Sequence, residues 1–260
     1  MAVHVAINAG LDPRQAGGVQ TNAVSLFRAL KPYAMDLRAT LVCPPAIAQP
    51  LRDEVSPPFE VHPWDHTFPW YRKAADEKVD VSKPDPSIDA KQARERERLR
   101  ADRDSTLRSF AAELLHFPHQ VAYDSELPTI YEPWDLQHLV LPDLFTRGER
   151  EWRTSLYSRA CERAKLVVTA TRATKRDLVS LLGISGEKIL VIPRGSRALV
   201  QPASETERLK LLRELGVNQP FLFFPAMSFP HKNHVRLLEA LAILRDRDGL
   251  TIPLVCSGRQ

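Results

Sequence analysis

The chain has few cysteines and no long apolar run, and both absences limit what it can be. Three of its 260 residues are cysteine, and Cys43, Cys161 and Cys256 are too widely separated for a paired metal motif or a disulfide framework. No apolar stretch approaches the ~20 residues needed to span a bilayer, and the start shows no basic segment followed by a long apolar one. We therefore expect a cytoplasmic protein.

The dinucleotide-binding pattern Gly-x-Gly-x-x-Gly is also absent after the first predicted strand, which disfavours a dehydrogenase. Hydrophobic residues make up 43% of the chain and charged residues 26%, as in ordinary globular proteins, so wholesale disorder is not expected. The formal net charge of +4 favours anionic partners. Many enzymes that bind phosphorylated substrates are equally basic, and nucleic acid is therefore not the partner we expect.

Short apolar segments alternate with helical patterns along most of the chain. Helices are predicted after the glycine pair near residue 18 and over residues 150–164 and 174–182. This alternation predicts a parallel sheet covered by helices on both faces. The predicted strands cover residues 3–7, 37–43, 113–117, 128–131, 165–169 and 188–192.

The region 57–108 interrupts this alternation. Repeated prolines favour an irregular connection, and the mixed-sign charges of residues 91–108 predict an exposed helix. An alternative function for this region is contact with a membrane-bound or anionic acceptor, because Trp64, Trp70 and Tyr71 lie near the basic residues. This alternative predicts peripheral contact with a membrane.

A second α/β domain begins near residue 198. A polar stretch and a helix at 205–215 precede an apolar strand, a short turn that contains Lys232, a helix, and a strand at 251–256. A strand followed by a turn and a helix is the part of such a fold that binds phosphates.

Four separated segments of the chain carry a family resemblance. They are GGVQTN from residue 17, WDLQHL from 134, VVTATRATKRDL from 167 and PHKN from 230. Together they resemble the retaining glycosyltransferases of family 4, the group 1 glycosyltransferases of the GT-B fold. The resemblance implies a complete N-terminal Rossmann-like domain over residues 1–197, with a charged insertion at about 57–108. It further implies that residues 198–260 contain a linker and the first βαβ part of a second Rossmann-like domain.

The resemblance also implies a set of phosphate-binding residues. In the family, the loop that contains Gly17 and Gly18 closes over the donor diphosphate, and Lys232 is the usual phosphate ligand. The family often has an arginine where this chain has Ala226. We therefore expect either another cation, or His231 and Asn233, to supply part of the missing stabilisation.

Other positions depart from the family pattern. Trp134 and Asp135 stand where many members have His-Asp, and an indole cannot do acid–base work. Asp135 and His138 are consequently the catalytic candidates, with His119 as a further polar contact; each residue could equally be structural, with Asp135 capping a helix. Arg194 takes the place of an asparagine near the donor and is a further donor-binding candidate.

The implied activity is transfer of a hexose from a nucleotide-diphospho-sugar to a carbohydrate or lipid-linked acceptor, in cell-surface polysaccharide synthesis, without a metal or other cofactor. Family members carry a Glu-x7-Glu segment later in the second domain, so we expect these 260 residues alone to bind donor weakly and to be inactive. Two alternatives remain open: a non-catalytic module that binds an acceptor or partner, and another GT-B enzyme such as a sugar-nucleotide epimerase.

Overall fold

A computed structural model describes residues 3–12, 14, 18–33, 37–55, 57–64, 86–195, 203–217 and 220–258, without side-chain detail at 19–20 and 86–96. The described residues divide into two compact units, with a boundary after Gly195, apart from residues 143–145, which are grouped with the second unit. Each unit is presented separately below.

The first unit is built on a sheet of seven parallel strands in the order β3-β2-β1-β4-β5-β6-β7. The central strands are in register, so that Val5 of β1 lies opposite Ala39 of β2 and Leu114 of β4. The strand order proceeds in opposite directions from β1 and β4, which makes their junction the topological switch point of the sheet. The strands are β1 (Val3–Asn8), β2 (Leu37–Cys43), β3 (Glu60–Pro63), β4 (Leu114–Phe117), β5 (Thr129–Tyr131), β6 (Leu166–Thr169) and β7 (Ile189–Val191).

Six α-helices of the first unit connect these strands in the described ranges. Helix α5 begins with a capping box in which Thr146 and Glu149 satisfy each other's backbone N–H groups. Helix α6 begins at the cap Thr171 and ends at Gly183, whose left-handed backbone (φ 68°) favours glycine. The helices are α1 (Gly18–Leu30), α2 (Pro45–Val55), α3 (Pro86–Ser109), α4 (Gln137–Val140), α5 (Arg147–Arg163) and α6 (Arg172–Leu182).

Both faces of the sheet are buried. Successive side chains of a strand point to opposite faces, and alternate residues of β1 belong to two different buried clusters. Val5 and Ile7 of β1 join one apolar cluster, which includes Leu41, whereas Ala6 joins a second cluster with Leu115. The predicted parallel sheet with helices on both faces is therefore confirmed. The predicted strands agree with the observed ones to within about two residues at each end.

The described parts of the region 57–108, residues 57–64 and 86–108, contain more regular structure than the sequence predicts. Strand β3 extends the sheet, and α3 is not simply an exposed helix, since Leu107 is fully buried in the core. Asp104 is also buried, and its carboxylate accepts hydrogen bonds from the Ser125 hydroxyl at 2.5 Å and the Glu126 N–H at 3.0 Å. The prediction of an exposed helix is therefore wrong for its last two turns, because the charge pattern does not show which polar residues have buried partners.

Trp64, one of the aromatic residues of the predicted membrane contact, is half-buried against the core, and that contact stays a prediction. Its backbone N–H donates to Cys43 O at 2.7 Å, and its ring packs edge-on against Tyr123, with 5.8 Å between ring centroids. Trp70 and Tyr71 lie outside the described residues. Within the ranges that the structure describes, no helix has the length and apolar character needed to cross a membrane.

The second unit contains α7 (Glu205–Glu214), β8 (Leu222–Pro225), a 3-10 turn (Pro230–Lys232), α8 (His234–Asp248) and β9 (Leu254–Ser257). Strands β8 and β9 pair in parallel. Gly258 lies so close to the loop after β8 that a Cβ atom on it would be 2.3 Å from the carbonyl oxygen of Ala226. The unit is a βαβ arrangement preceded by one helix.

Candidate functional site

The candidate site lies at the carboxyl ends of the strands of the first unit. Open parallel sheets bind ligands at this edge, at the switch point of the strand order. Here the switch point falls between β1, which ends at Asn8, and β4, which ends at Phe117. The residues that follow the two strands are the ones best placed to contact a ligand.

Three buried polar atoms at this edge make no hydrogen bond of ordinary geometry with the described residues. They are Nδ2 of Asn8 at the end of β1, Nε2 of His119 just after β4, and Oγ1 of Thr169 at the end of β6. Buried polar groups are nearly always paired, and leaving one unpaired costs about 1–3 kcal/mol. Their collection at one edge indicates that a polar ligand or water completes them.

His119 is held as a neutral ring. Its Nδ1 accepts a hydrogen bond from the Val121 N–H at 3.2 Å, so the proton of the neutral ring is carried by Nε2. Burial, with a smaller contribution from His116, lowers the pKa of His119 to about 4, against the opposing effect of a hydrogen bond with the backbone of Asn8. At neutral pH, His119 is therefore a hydrogen-bond donor rather than a cation.

His116 and Glu132 form a pair at the same edge. Nε2 of His116 lies 2.8 Å from Oε1 of Glu132, and the side chains are 14% and 16% exposed. Glu132 is positioned because its N–H donates to Phe117 O at 3.0 Å, which joins the ends of β4 and β5. The sequence reasoning missed this pair, although both residues stand at the carboxyl ends of predicted neighbouring strands.

Trp134 supports Arg194 by a cation–π contact. The guanidinium carbon of Arg194 lies 3.6 Å from the centroid of the indole ring, whose Nε1–H donates to Pro118 O at 3.1 Å. Burial lowers the pKa of Arg194, and the carboxylates of Glu132 and Asp135 oppose that shift. The indole of Trp134 thus holds a cation near the carboxyl ends of β5 and β7.

The two predicted catalytic residues have different surroundings. Asp135 accepts a hydrogen bond from the Gln137 N–H at 3.2 Å at the start of α4, and it remains partly exposed. His138 is 0% exposed and packs edge-on against Tyr157, with 5.1 Å between centroids. Burial, followed by the charge of Arg153, lowers the pKa of His138 to about 4. Both roles stay predictions, but the burial of His138 favours a structural role.

In the second unit, the predicted phosphate-binding residues occupy the turn before α8. Lys232 is exposed, and its ammonium group has no partner in the part of the chain that the structure describes. Asn233 has a left-handed backbone (φ 57°) and is the N-cap of α8, while His231 stacks on Phe229. Their donor-binding role stays a prediction.

The glycine pair can be placed in part. Gly18 is the exposed first residue of α1, and Gly17 lies outside the described residues. No group of three or more His, Cys, Asp or Glu side chains in the described ranges is arranged to hold a metal ion.

Comparison with solved structures identifies the fold. HepE of Anabaena in complex with UDP-glucose matches with a TM-score of 0.57 and 18% identity, over 97% of this chain and 59% of HepE. The chain has the GT-B fold. The fold prediction is thus confirmed. No protein-family model matches the sequence, and no curated protein matches it.

Two further GT-B structures have similar scores. A glycosyltransferase from Rickettsia africae matches with a TM-score of 0.56 and 12% identity, over 99% of this chain and 60% of that protein. A protein named as a UDP-N-acetylglucosamine 2-epimerase, from Listeria monocytogenes, matches with a TM-score of 0.52 and 12% identity, over 98% of this chain and 62% of that protein. The chain therefore spans about three fifths of the length of these GT-B proteins.

Proposed function

We propose that the protein is a glycosyltransferase that moves a hexose from a nucleotide-diphospho-sugar to a carbohydrate or lipid-linked acceptor with retention of configuration. The observation that carries the proposal is the set of buried polar atoms without ordinary hydrogen bonds at the carboxyl ends of the strands: those of Asn8 and His119 at the switch point, and that of Thr169 two strands away at the same edge. A sugar suits such a site, because its hydroxyl groups both donate and accept hydrogen bonds. The retaining course and membership of family 4 rest on the sequence resemblance alone.

The second unit supplies groups suited to the diphosphate. Backbone N–H groups at the start of a helix and a nearby ammonium both stabilise negative charge, and α8 begins directly after Lys232 and Asn233. As the sugar leaves, the diphosphate gains charge that a lysine is able to neutralise without a metal. We include cell-surface polysaccharide precursors among the acceptors, again from the family resemblance.

A donor panel tests the proposal on the full natural chain that contains these residues. UDP-glucose, UDP-galactose, UDP-N-acetylglucosamine and GDP-mannose would each be incubated with oligosaccharide and lipid-phosphate-linked acceptors. We expect nucleoside diphosphate release that depends on acceptor with at least one donor. Absence of transfer with every donor, in a protein shown to be folded, would contradict the proposal.

Lys232 gives the corresponding mutational test. We expect Lys232→Ala to weaken donor binding by about tenfold or more, because a charge-assisted contact to phosphate is worth about 1.5–3 kcal/mol. Lys210→Ala is the matched control, since Lys210 is an exposed lysine of the same unit that contacts Glu214. Equal donor affinity in the two variants, measured by calorimetry, would remove Lys232 from the site.

A sugar-nucleotide epimerase is the second candidate, favoured by the fold shared with the Listeria protein. It would change the donor sugar without any acceptor. Incubation of UDP-N-acetylglucosamine with the protein alone, followed by NMR of the nucleotide sugar, separates the two functions. An isomerised sugar with an intact diphosphate linkage would favour the epimerase.

A further inference from the structure

Arg194 carries hydrogen-bond donors that the described part of the chain does not use. A guanidinium has five N–H donors, yet Arg194 makes neither a hydrogen bond nor an ion pair with the described residues. Its close contact is with the face of the Trp134 ring, at 3.6 Å from the guanidinium carbon to the centroid. Because stacking covers a face of the planar group, the N–H groups along its edge stay available. Arg194 is also open to solvent, so it presents these donors to a ligand.

The contact between Arg194 and Trp134 spans the carboxyl end of β6. Strand β6 lies between β5 and β7 in the sheet; Trp134 follows β5 and Arg194 follows β7. The Ile192 N–H donates to Thr169 O at 2.9 Å, so the chain still runs beside the end of β6 two residues before Arg194. Thr169 is the last residue of β6, and its buried Oγ1 makes no ordinary hydrogen bond. A guanidinium and a hydroxyl with unused bonding capacity therefore lie at the end of one strand.

Two carboxylates add hydrogen-bond acceptors beside this cation. The charges of Glu132 and Asp135 both act on Arg194. Glu132 Oε1 lies 2.8 Å from the His116 ring, and Asp135 Oδ1 accepts the N–H of the second residue after it. The other oxygen of each carboxylate has no hydrogen-bond partner in the described ranges. The edge thus combines unused donors with unused acceptors, and two acids lie near one arginine.

This combination fits a neutral sugar better than a phosphate. A sugar hydroxyl both donates and accepts, so adjacent hydroxyls are able to bond a carboxylate oxygen and a guanidinium N–H together. A phosphate would place its negative charge beside two carboxylates as well as one guanidinium. The hexose of the donor brings such charge with it, because it is joined directly to the diphosphate. A terminal sugar of a carbohydrate acceptor does not.

We propose that this edge is a subsite for a neutral sugar unit of the acceptor, in which Arg194 is a specificity-determining residue and Trp134 its positioning residue. The assignment to the acceptor rests on the proposed function, because that function requires a glycosyl acceptor. Arg194 donates to hydroxyl oxygens of the sugar, and the carboxylates of Glu132 and Asp135 accept from its hydroxyl groups. This role differs from the donor-binding role that the family resemblance implies for Arg194.

Four variants test the two roles. Arg194→Lys keeps the charge and removes the planar fork of donors. Trp134→Phe and Trp134→Leu both lose the indole N–H that bonds Pro118 O, but only phenylalanine keeps an aromatic face for the guanidinium. Arg38→Lys is the control, since Arg38 is an exposed arginine near the amino end of β2, at the opposite edge of the sheet.

Steady-state kinetics on the full natural chain use the donor named above and the neutral oligosaccharide acceptor that together give the fastest transfer. We expect Arg194→Lys to raise the acceptor KM by about tenfold or more, with little change in the donor KM, because it removes charge-assisted hydrogen bonds to the acceptor alone. Trp134→Leu should raise the acceptor KM similarly, Trp134→Phe should raise it less, and Arg38→Lys should leave it unchanged. A larger change in the donor KM than in the acceptor KM would overturn the assignment.

A binding measurement gives a readout that does not need turnover. Saturation-transfer NMR would follow lactose, cellobiose and maltose as neutral probes, and calorimetry would measure UDP and inorganic pyrophosphate. We expect at least one disaccharide to bind the wild-type chain, and Arg194→Lys to abolish that binding while leaving the affinity for both phosphate ligands unchanged. A loss of UDP or pyrophosphate affinity in Arg194→Lys would overturn the proposal, as would the absence of disaccharide binding to the wild type.

The two measurements separate this inference from the proposed function. Transfer with an acceptor KM that Arg194→Lys does not change would leave the proposed function standing and overturn the subsite. Disaccharide binding that depends on Arg194, in a chain that transfers sugar from none of the four donors, would support the sugar subsite and contradict the proposed transfer.

Discussion

The burial of His138 predicts a measurable loss of stability in mild acid. A histidine whose pKa is lowered in the folded state binds its proton more readily when the chain is unfolded. Its contribution to stability is therefore complete above the unfolded pKa of about 6.5 and is lost as the pH falls toward the folded pKa of about 4. His119, with a folded pKa of about 4, acts in the same direction.

The size of the effect follows from the two pKa values. Between pH 7 and pH 5, one such histidine lowers the free energy of unfolding by about 1.8 kcal/mol by proton linkage. His138→Leu removes one titrating ring and leaves His119, so the loss between these pH values should shrink by about 1.8 kcal/mol relative to the parent. At pH 7, the leucine variant should be at least as stable, because the two buried ring nitrogens have no partner among the described residues.

Urea unfolding followed by tryptophan fluorescence measures this difference. All four tryptophans, Trp64, Trp70, Trp134 and Trp152, precede residue 195 in the chain, so the signal reports mainly on the first unit. Val140→Ala is the matched control, since it changes an exposed residue of the same short helix. If His138→Leu loses as much stability between pH 7 and pH 5 as Val140→Ala, the assigned burial of His138 is wrong.

Two further predictions concern Asp104 and Gly258, whose contacts no sequence pattern indicates. Asp104→Ala should destabilise the first unit by about 2–3 kcal/mol, measured by urea unfolding, because it removes the buried acceptor of the half-buried Ser125 hydroxyl and of the Glu126 N–H. Asp102→Ala, at an exposed position of the same helix, is the control, and an equal effect of the two variants would contradict the assigned contacts. Gly258→Ala should increase amide hydrogen exchange in β8 and β9, because the added Cβ would be 2.3 Å from Ala226 O. Gly195→Ala is the control and should leave exchange unchanged, since no atom lies within 4 Å of its Cβ position. Unaltered exchange in Gly258→Ala would exclude the close approach.

Local patterns in the sequence were sufficient for the described strands other than β3 and for most of the described helices. The strand at Leu37–Cys43 was predicted at its exact bounds, since a run of apolar and β-branched residues closed by prolines has few alternative structures. Helix α2 was missed, because Pro50 interrupts its helical pattern. Strand β3 was missed because four residues give too little periodicity to recognise.

The candidate site was less accessible to sequence reasoning, because its parts come from different strands. The quoted motifs pointed to Asp135 and His138, which lie close together in the chain. The pairing of His116 with Glu132 depends on the register of β4 and β5, and no spacing in the sequence specifies that contact.

The sequence by itself determined the alternation of strands and helices, and hence a parallel α/β architecture, because periodicity and helix caps are local properties of the chain. The tertiary structure alone decided which polar residues are enclosed and which meet at the switch point. Burial and pairing depend on neighbours that are distant in sequence, as with Asn8, His119 and Thr169 at the ends of three strands. The same reason explains why His138, a catalytic candidate by its motif, is buried, while His116, which no motif marks, meets Glu132 at the edge of the sheet.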